Sequence, residues 1–210
     1  MSIQSDAETE SPKRQAIISA AGELFVAHGY GAVSMDAVAR AAGVSKATLY
    51  AHFASKDLLF ASIISQACRE SIAVADILPD PSSDIGDELS ALGGRILRFL
   101  LQDRALAIHR VVIGESIRFP ELGRAFYDNG PAVLRRVFGA WIARQNAAGR
   151  LDVPEPERAA DLFCGMLRTG LYLRASLGIA PSPSEAEIDA TVAGAVTMFL
   201  RAYGSGPATD

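Results

Sequence analysis

The chain has 210 residues, half of them apolar and 21% charged, with a formal net charge of −4. That balance suits one large globular domain or two small ones and excludes a disordered polyelectrolyte. No uncharged run exceeds 12 residues (Leu24 to Met35), whereas a membrane-spanning helix needs about 18 or more consecutive apolar residues, so no membrane partner is expected.

The N-terminal stretch MSIQSDAETESPKRQ is polar and acidic, without the basic and apolar regions of a signal peptide. Cys68 and Cys164 sit far apart inside apolar runs, a pattern of reduced core thiols rather than of a disulfide framework. Together these features predict a cytoplasmic protein. Charge is unevenly distributed. Residues 1–10 carry three acids and no base, residues 11–56 five bases and two acids, and residues 57–210 fifteen bases and nineteen acids. A short basic module on an acidic body is compatible with nucleic-acid binding.

The predicted elements are helical throughout. Residues 1–10 are expected to be a disordered acidic tail. Ser11-Pro12 supplies an N-cap followed by proline in the first turn, and Ile17, Ala20, Ala21, Leu24, Phe25 and His28 repeat at helical spacing up to Gly29. Ser34 caps a second short helix with Ala37, Val38 and Ala41 inward, ending at Gly43. Ser45 caps a third, Lys46 to about His52. Ser55 caps a long fourth, to about Ile77, with Leu58, Leu59, Ile63, Ala67 and Ser71 on its inner line. A loop, Leu78 to Asp84, follows. Further helices are expected at about 84–102, 104–118, 120–148 (interrupted at Gly130-Pro131), 155–177 and 184–203, with a frayed tail from Gly204 to Asp210.

The segment Ala41-Ala42-Gly43-Val44-Ser45 carries the chemistry. A sharp turn between two short helices needs a positive φ, which glycine supplies. Val44 fills the angle, Ser45 caps the next helix, and small Ala39 and Ala42 permit close approach. This is a helix-turn-helix, whose second helix enters a major groove. Lys46 can donate to guanine edges or phosphate, Ala47 leaves room for a thymine methyl, and Thr48 can donate or pack on one. Tyr50, His52 and Lys56 are placed for phosphate oxygens, and Ser34 adds an anion-friendly helix end.

The run from Gly29 to Leu59, with G-V-S at 43–45, L-Y-A-H-F at 49–53 and S-K-D-L-L at 55–59, resembles the DNA-binding domain of the TetR/AcrR family of bacterial regulators over about residues 11–60. Val38 stands where isoleucine is commoner, and Ala51 where an aromatic often makes a phosphate contact. Arg104 through Leu177, with His109 to Glu115, Arg118 to Leu122 and Phe126-Tyr127, is similar to AefR-like C-terminal domains of that family. The resemblance implies an all-α homodimer, usually a repressor, released from a pseudo-palindromic operator by a small molecule in the C-terminal core. The expected division is a helix-turn-helix domain at 11–57 and an effector-binding and dimerisation domain at 58–203, joined by the long fourth helix.

Ile64, Cys68, Phe99, His109, Phe126, Trp141 and Phe163 are the candidate lining of an aromatic effector cavity. The helices at about 155–177 and 184–203 are apolar on more than one face and are the expected homodimer contact. Glu115 lies six residues beyond His109. The three histidines form no metal-ligand pair, and the chain lacks a nucleophile elbow, phosphate loop or dinucleotide fingerprint. No catalysis, metal or cofactor is therefore expected.

Overall fold

The computed structural model describes residues 11–71, 84–179 and 183–205, without the side chains of 68–71. The expected acidic tail, the end of the fourth helix, the loop after it up to Ser83 and the last five residues lie outside that range. The fold is all-α. Among the described residues its elements are α1 (Pro12–His28), α2 (Met35–Ala41), α3 (Lys46–His52), α4 (Lys56–Ser71), α5 (Ile85–Leu100), α6 (Asp103–Glu115), α7 (Pro120–Asn129), α8 (Pro131–Ala147), α9 (Pro156–Leu167), α10 (Gly170–Leu177) and α11 (Glu185–Tyr203). The only extended pairing among these residues is a single bridge between Leu151 and Gly204.

Local chemistry sets the helix starts. Ser34 Oγ accepts from Ala37 N–H and Ser45 Oγ from Thr48 N–H, each satisfying a donor the helix leaves orphaned. Asp84 caps α5 through Gly86 and Asp87, and Ser184 with Glu187 forms a reciprocal capping box on α11. Ser11 precedes α1 without a side-chain cap. There the proline in the first turn contributes instead, by fixing φ and lacking an N–H to satisfy.

Two compact units form. Among the described residues, the first comprises 11–64 together with Val111–Phe126, and the second comprises the others. The unit containing the helix-turn-helix is thus larger than the expected 11–57 and recruits the end of α6 and most of α7. Its core includes Ile17, Ile18, Ala21 and Phe25 of α1, Val38, Leu49, Phe53, Leu59 and Phe60. Phe25, Tyr30 and Phe60 form a triangle of rings with centroids 5.3–5.9 Å apart, and Phe119 meets Tyr30 at 5.5 Å. Such tilted and edge-on pairs contribute about 0.5–1.5 kcal/mol each beyond area burial. Three expected inward positions face water instead: His28, Ala41 and Leu58. On α4 the buried set is Leu59, Phe60, Ile63 and Ile64, so the stripe is rotated by one residue and leaves Leu58 outside.

The second unit is built on one apolar cluster from α5, α8, α9, α10 and α11 with Leu151 and Val153. Phe138 stacks with Trp141 and Phe163, Phe163 with Phe199, and Phe199 with Tyr203, at 5.0–5.7 Å between ring centroids. The expected single helix at 155–177 is broken. Arg168 leaves the α region (ψ 38°), Thr169 is extended, and α10 restarts at Gly170. Thr169 and Gly170 are poor helix formers, and the break lets α10 bury Leu171, Tyr172 and Ala175. The tail begins later than expected. Gly204 pairs with Leu151, and Ser205 donates to Gly149 O at 2.8 Å.

Candidate nucleic-acid interface

The turn between α2 and α3 takes the predicted form. Gly43 has φ 65° with nothing within 4 Å of where a Cβ would stand, so its glycine is required by backbone conformation alone. Val44 N–H donates to Ala39 O at 3.0 Å, closing the turn. Leu49 and Phe53 are buried, which rotates Ser45, Lys46, Ala47, Tyr50 and Ala51 outward. Tyr50 is half exposed. Thr48 is partly covered and its hydroxyl shares a 2.8 Å hydrogen bond with Ser45 Oγ. His52 is half-buried with its ring 6.4 Å from that of Phe53, and Arg14 of α1 lies over the same phenylalanine at 5.3 Å. Lys46, mostly exposed, is ion-paired with Asp36 of α2.

Lys56 departs from its expected role. Its ammonium points into the unit, donating to Tyr30 O at 2.8 Å and Val33 O at 2.9 Å and lying 4.2 Å from the centre of the Tyr30 ring. Two carbonyls and a π face take the place of water around the charge. Burial lowers its pKa, opposed by the carboxylates of Glu115 and Glu121. Burial, with the charges of Glu121 and Asp57, also pushes the Tyr30 phenol up to about 12. Lys56 is a clamp on the loop that leads into Ser34, not a free phosphate hook.

Sequence reasoning missed Glu115. Its two carboxylate oxygens accept from Tyr30 N–H and Gly31 N–H, both at 2.7 Å. A Cβ on Gly31 would stand 2.8 Å from the Phe119 ring and 3.1 Å from Glu115, so the close approach of this segment selects glycine there. The sequence signal was present as Gly29-Tyr30-Gly31, two small residues flanking an aromatic, but nothing in it named the partner 84 residues later.

Of the expected effector residues, Ile64 and Phe126 fall in the first unit; Phe99, His109, Trp141 and Phe163 fall in the second. Trp141 and Phe163 are core residues, 1% and 0% exposed, packed around Phe138. His109 is half-buried beside the Tyr172 ring at 5.8 Å, and burial followed by the charges of Arg168 and Arg110 lowers its pKa. The side chain of Cys68 lies outside the described residues. Cys164 is buried and its thiol is pushed up to about 11, chiefly by desolvation. Thiolate is the reactive form, so the native protein at pH 8 is expected to alkylate at Cys164 at least ~100-fold more slowly than after denaturation. Mass spectrometry of iodoacetamide-treated protein checks this, and comparable rates would show that the residue is not sealed. A groove of about 390 Å³ on the second unit is lined by Arg135, Glu155, Pro156, Glu157, Arg158 and Asp161. None of the expected effector residues lines it. Among the described residues no cluster of histidine, cysteine and carboxylate side chains suits a metal ion, and no helix is long and apolar enough to cross a membrane.

Residues 17–63 match the pattern of bacterial regulatory proteins of the tetR family, and residues 87–205 match the C-terminal domain of AefR-like transcriptional repressors. The chain belongs to the TetR family. It is a transcriptional regulator carrying a helix-turn-helix for DNA, and not an enzyme. Among solved structures, the flavonoid-responsive regulator FrrA is 36% identical with a TM-score of 0.75, over 93% of this chain and 98% of that one. A TetR regulator from Agrobacterium tumefaciens is 29% identical with a TM-score of 0.73, over 92% of this chain and 95% of that one. Among curated relatives, MftR of Mycobacterium tuberculosis, named as a mycofactocin biosynthesis transcriptional regulator, is 31% identical over 131 residues. That match covers 62% of this chain and 64% of MftR, so the chain spans less than two thirds of that relative's length.

Proposed function

We propose that this TetR-family regulator is a cytoplasmic repressor that binds a pseudo-palindromic operator as a homodimer and is released by a small molecule. The observation that carries the reading is the outward face of α3, where Lys46, Ala47 and Tyr50 are exposed around two buried anchors, Leu49 and Phe53. Lys46 and Thr48 would read base edges, while Tyr50, His52, Ser34 and Ser45 would hold phosphates. One seven-residue helix reads few base pairs, so a second copy is required, with recognition helices about 34–36 Å apart in successive major grooves.

An apolar, small-residue surface supports dimerisation through α9 and α11. Leu162 and Met198 are more than half exposed, and Gly165 and Gly194 are open to close approach. Four such helices, two from each copy, would make a bundle. The effector would enter among the second unit's aromatics, and α4 and α6, which run through both units, would carry its effect to the helix-turn-helix. A ligand acts only through different affinities for the two states. FrrA is named for its response to flavonoids, and a phenolic compound is accordingly the first effector class to screen.

The test is selection of genomic fragments by the purified protein at about 150 mM salt, followed by sequencing of what stays bound. One enriched pseudo-palindrome is the expected result; recovery of random fragments alone would overturn the operator reading. On the selected site, Lys46→Ala is expected to lower the preference over random duplex by about tenfold, within the range of one base contact. Equal loss on both duplexes would reject base reading by Lys46.

A further inference from the structure

The ion pair between Lys46 and Asp36 joins the first residue of α3 to the first turn of α2. Lys46 is an awkward choice for helix stability. A cation at a helix N-terminus opposes the dipole, and the first turn of α3 contains no acid. Asp36 is well placed on its own helix, yet its carboxylate does not serve that helix alone. Arg40 stands one turn along α2, the usual partner position, but the carboxylate crosses the turn to Lys46.

We propose that Asp36 is a specificity-setting residue that acts through Lys46, turning it from a phosphate-seeking charge into a donor for base edges. The inference rests on the reading of α3 as the base-contacting helix. An ammonium has three donors. The carboxylate takes one and leaves two, enough for an acceptor pair such as guanine O6 and N7. The same carboxylate cancels the charge that draws lysine to the backbone and repels any phosphate nearby. A neutral pair keeps hydrogen-bonding capacity and loses the sequence-independent attraction. Non-specific binding is therefore suppressed, while contact with a base edge is retained.

The experiment measures binding of the full chain to two duplexes across a salt series, a mixed-sequence 30-base-pair duplex (~30, spanning two successive major grooves) and the fragment recovered by genomic selection. Asp36→Asn keeps the shape and removes the charge. Its affinity for mixed-sequence duplex is expected to rise about two- to fivefold, the span of an exposed pair. The plot of log affinity against log salt is expected to steepen by up to about 0.9, one extra phosphate neutralised. The ratio of selected to mixed-sequence binding is expected to fall. In a Lys46→Ala background the same Asp36→Asn change should leave that ratio where it was, because the coupling partner is gone. Asp36→Glu should restore both ratio and slope. An unchanged slope and ratio in Asp36→Asn, or an equal fall of the ratio without Lys46, overturns the proposal. If Lys46→Ala alone alters neither ratio nor slope, the underlying reading of α3 fails instead, and the two failures are distinguishable. Thermal unfolding of each variant reports separately on folding.

Discussion

Glu115→Ala is expected to lower the melting temperature by about 4–12 °C, from a loss of about 2–3 kcal/mol at ~2–4 °C per kcal/mol for a chain of this size. The loss has two parts. Tyr30 N–H and Gly31 N–H each lose a charge-assisted bond of 2.7 Å; the first is left in a half-covered place, while the second, nearer the surface, regains water. Hydrogen exchange gives the local readout. The amides of Tyr30 and Gly31 should exchange faster in the variant, while those of α8 and α9 in the second unit keep their rates. Glu115→Gln, which keeps one good acceptor, should fall between. A melting temperature and amide rates equal to wild type would show that the carboxylate does not hold the turn. Since that turn precedes Ser34, operator affinity is expected to fall as well.

Lys56→Ala is expected to cost about 2–3 kcal/mol, because two carbonyl acceptors lose a charged donor and the Tyr30 ring loses its cation. The informative measurement is the salt dependence of DNA binding. A residue that neutralises a phosphate contributes about 0.9 to the slope of log affinity against log salt. As a clamp, Lys56 should contribute nothing to that slope. The variant should bind more weakly at every salt concentration, with a parallel line. A slope reduced by about 0.9 together with unchanged thermal stability would restore Lys56 to the phosphate contacts and remove it from the core.

Both residues show where sequence reasoning reached its limit. Lys56 belongs to the S-K-D-L-L run that carries the family resemblance, and its place at the start of a helix invited a phosphate role. Nothing local in the chain says which way a long, flexible side chain turns; that depends on the Tyr30 ring and two carbonyls more than twenty residues earlier. Glu115 stood out only as the end of the His109 to Glu115 run and for its distance from His109. Its partners are amides, and an amide carries no residue identity that a sequence pattern can reveal.

What the sequence determined by itself is what short range controls. Serines at 34, 45 and 184 cap helices because a side-chain oxygen reaches an N–H three residues on. Gly43 turns the chain because only glycine takes positive φ without cost. The burial of Leu49 and Phe53 fixes which side of α3 faces outward. The helix-turn-helix and its outer face follow from these alone. Only the tertiary structure decided the rest: the break at Thr169, the burial of Trp141 and Phe163 in the core, the rotation of α4 that exposes Leu58, and the recruitment of Val111–Phe126 into the first unit. Each depends on contacts between residues distant in the chain. Apolar periodicity says that a face must be buried but not against what, and here packing made that choice.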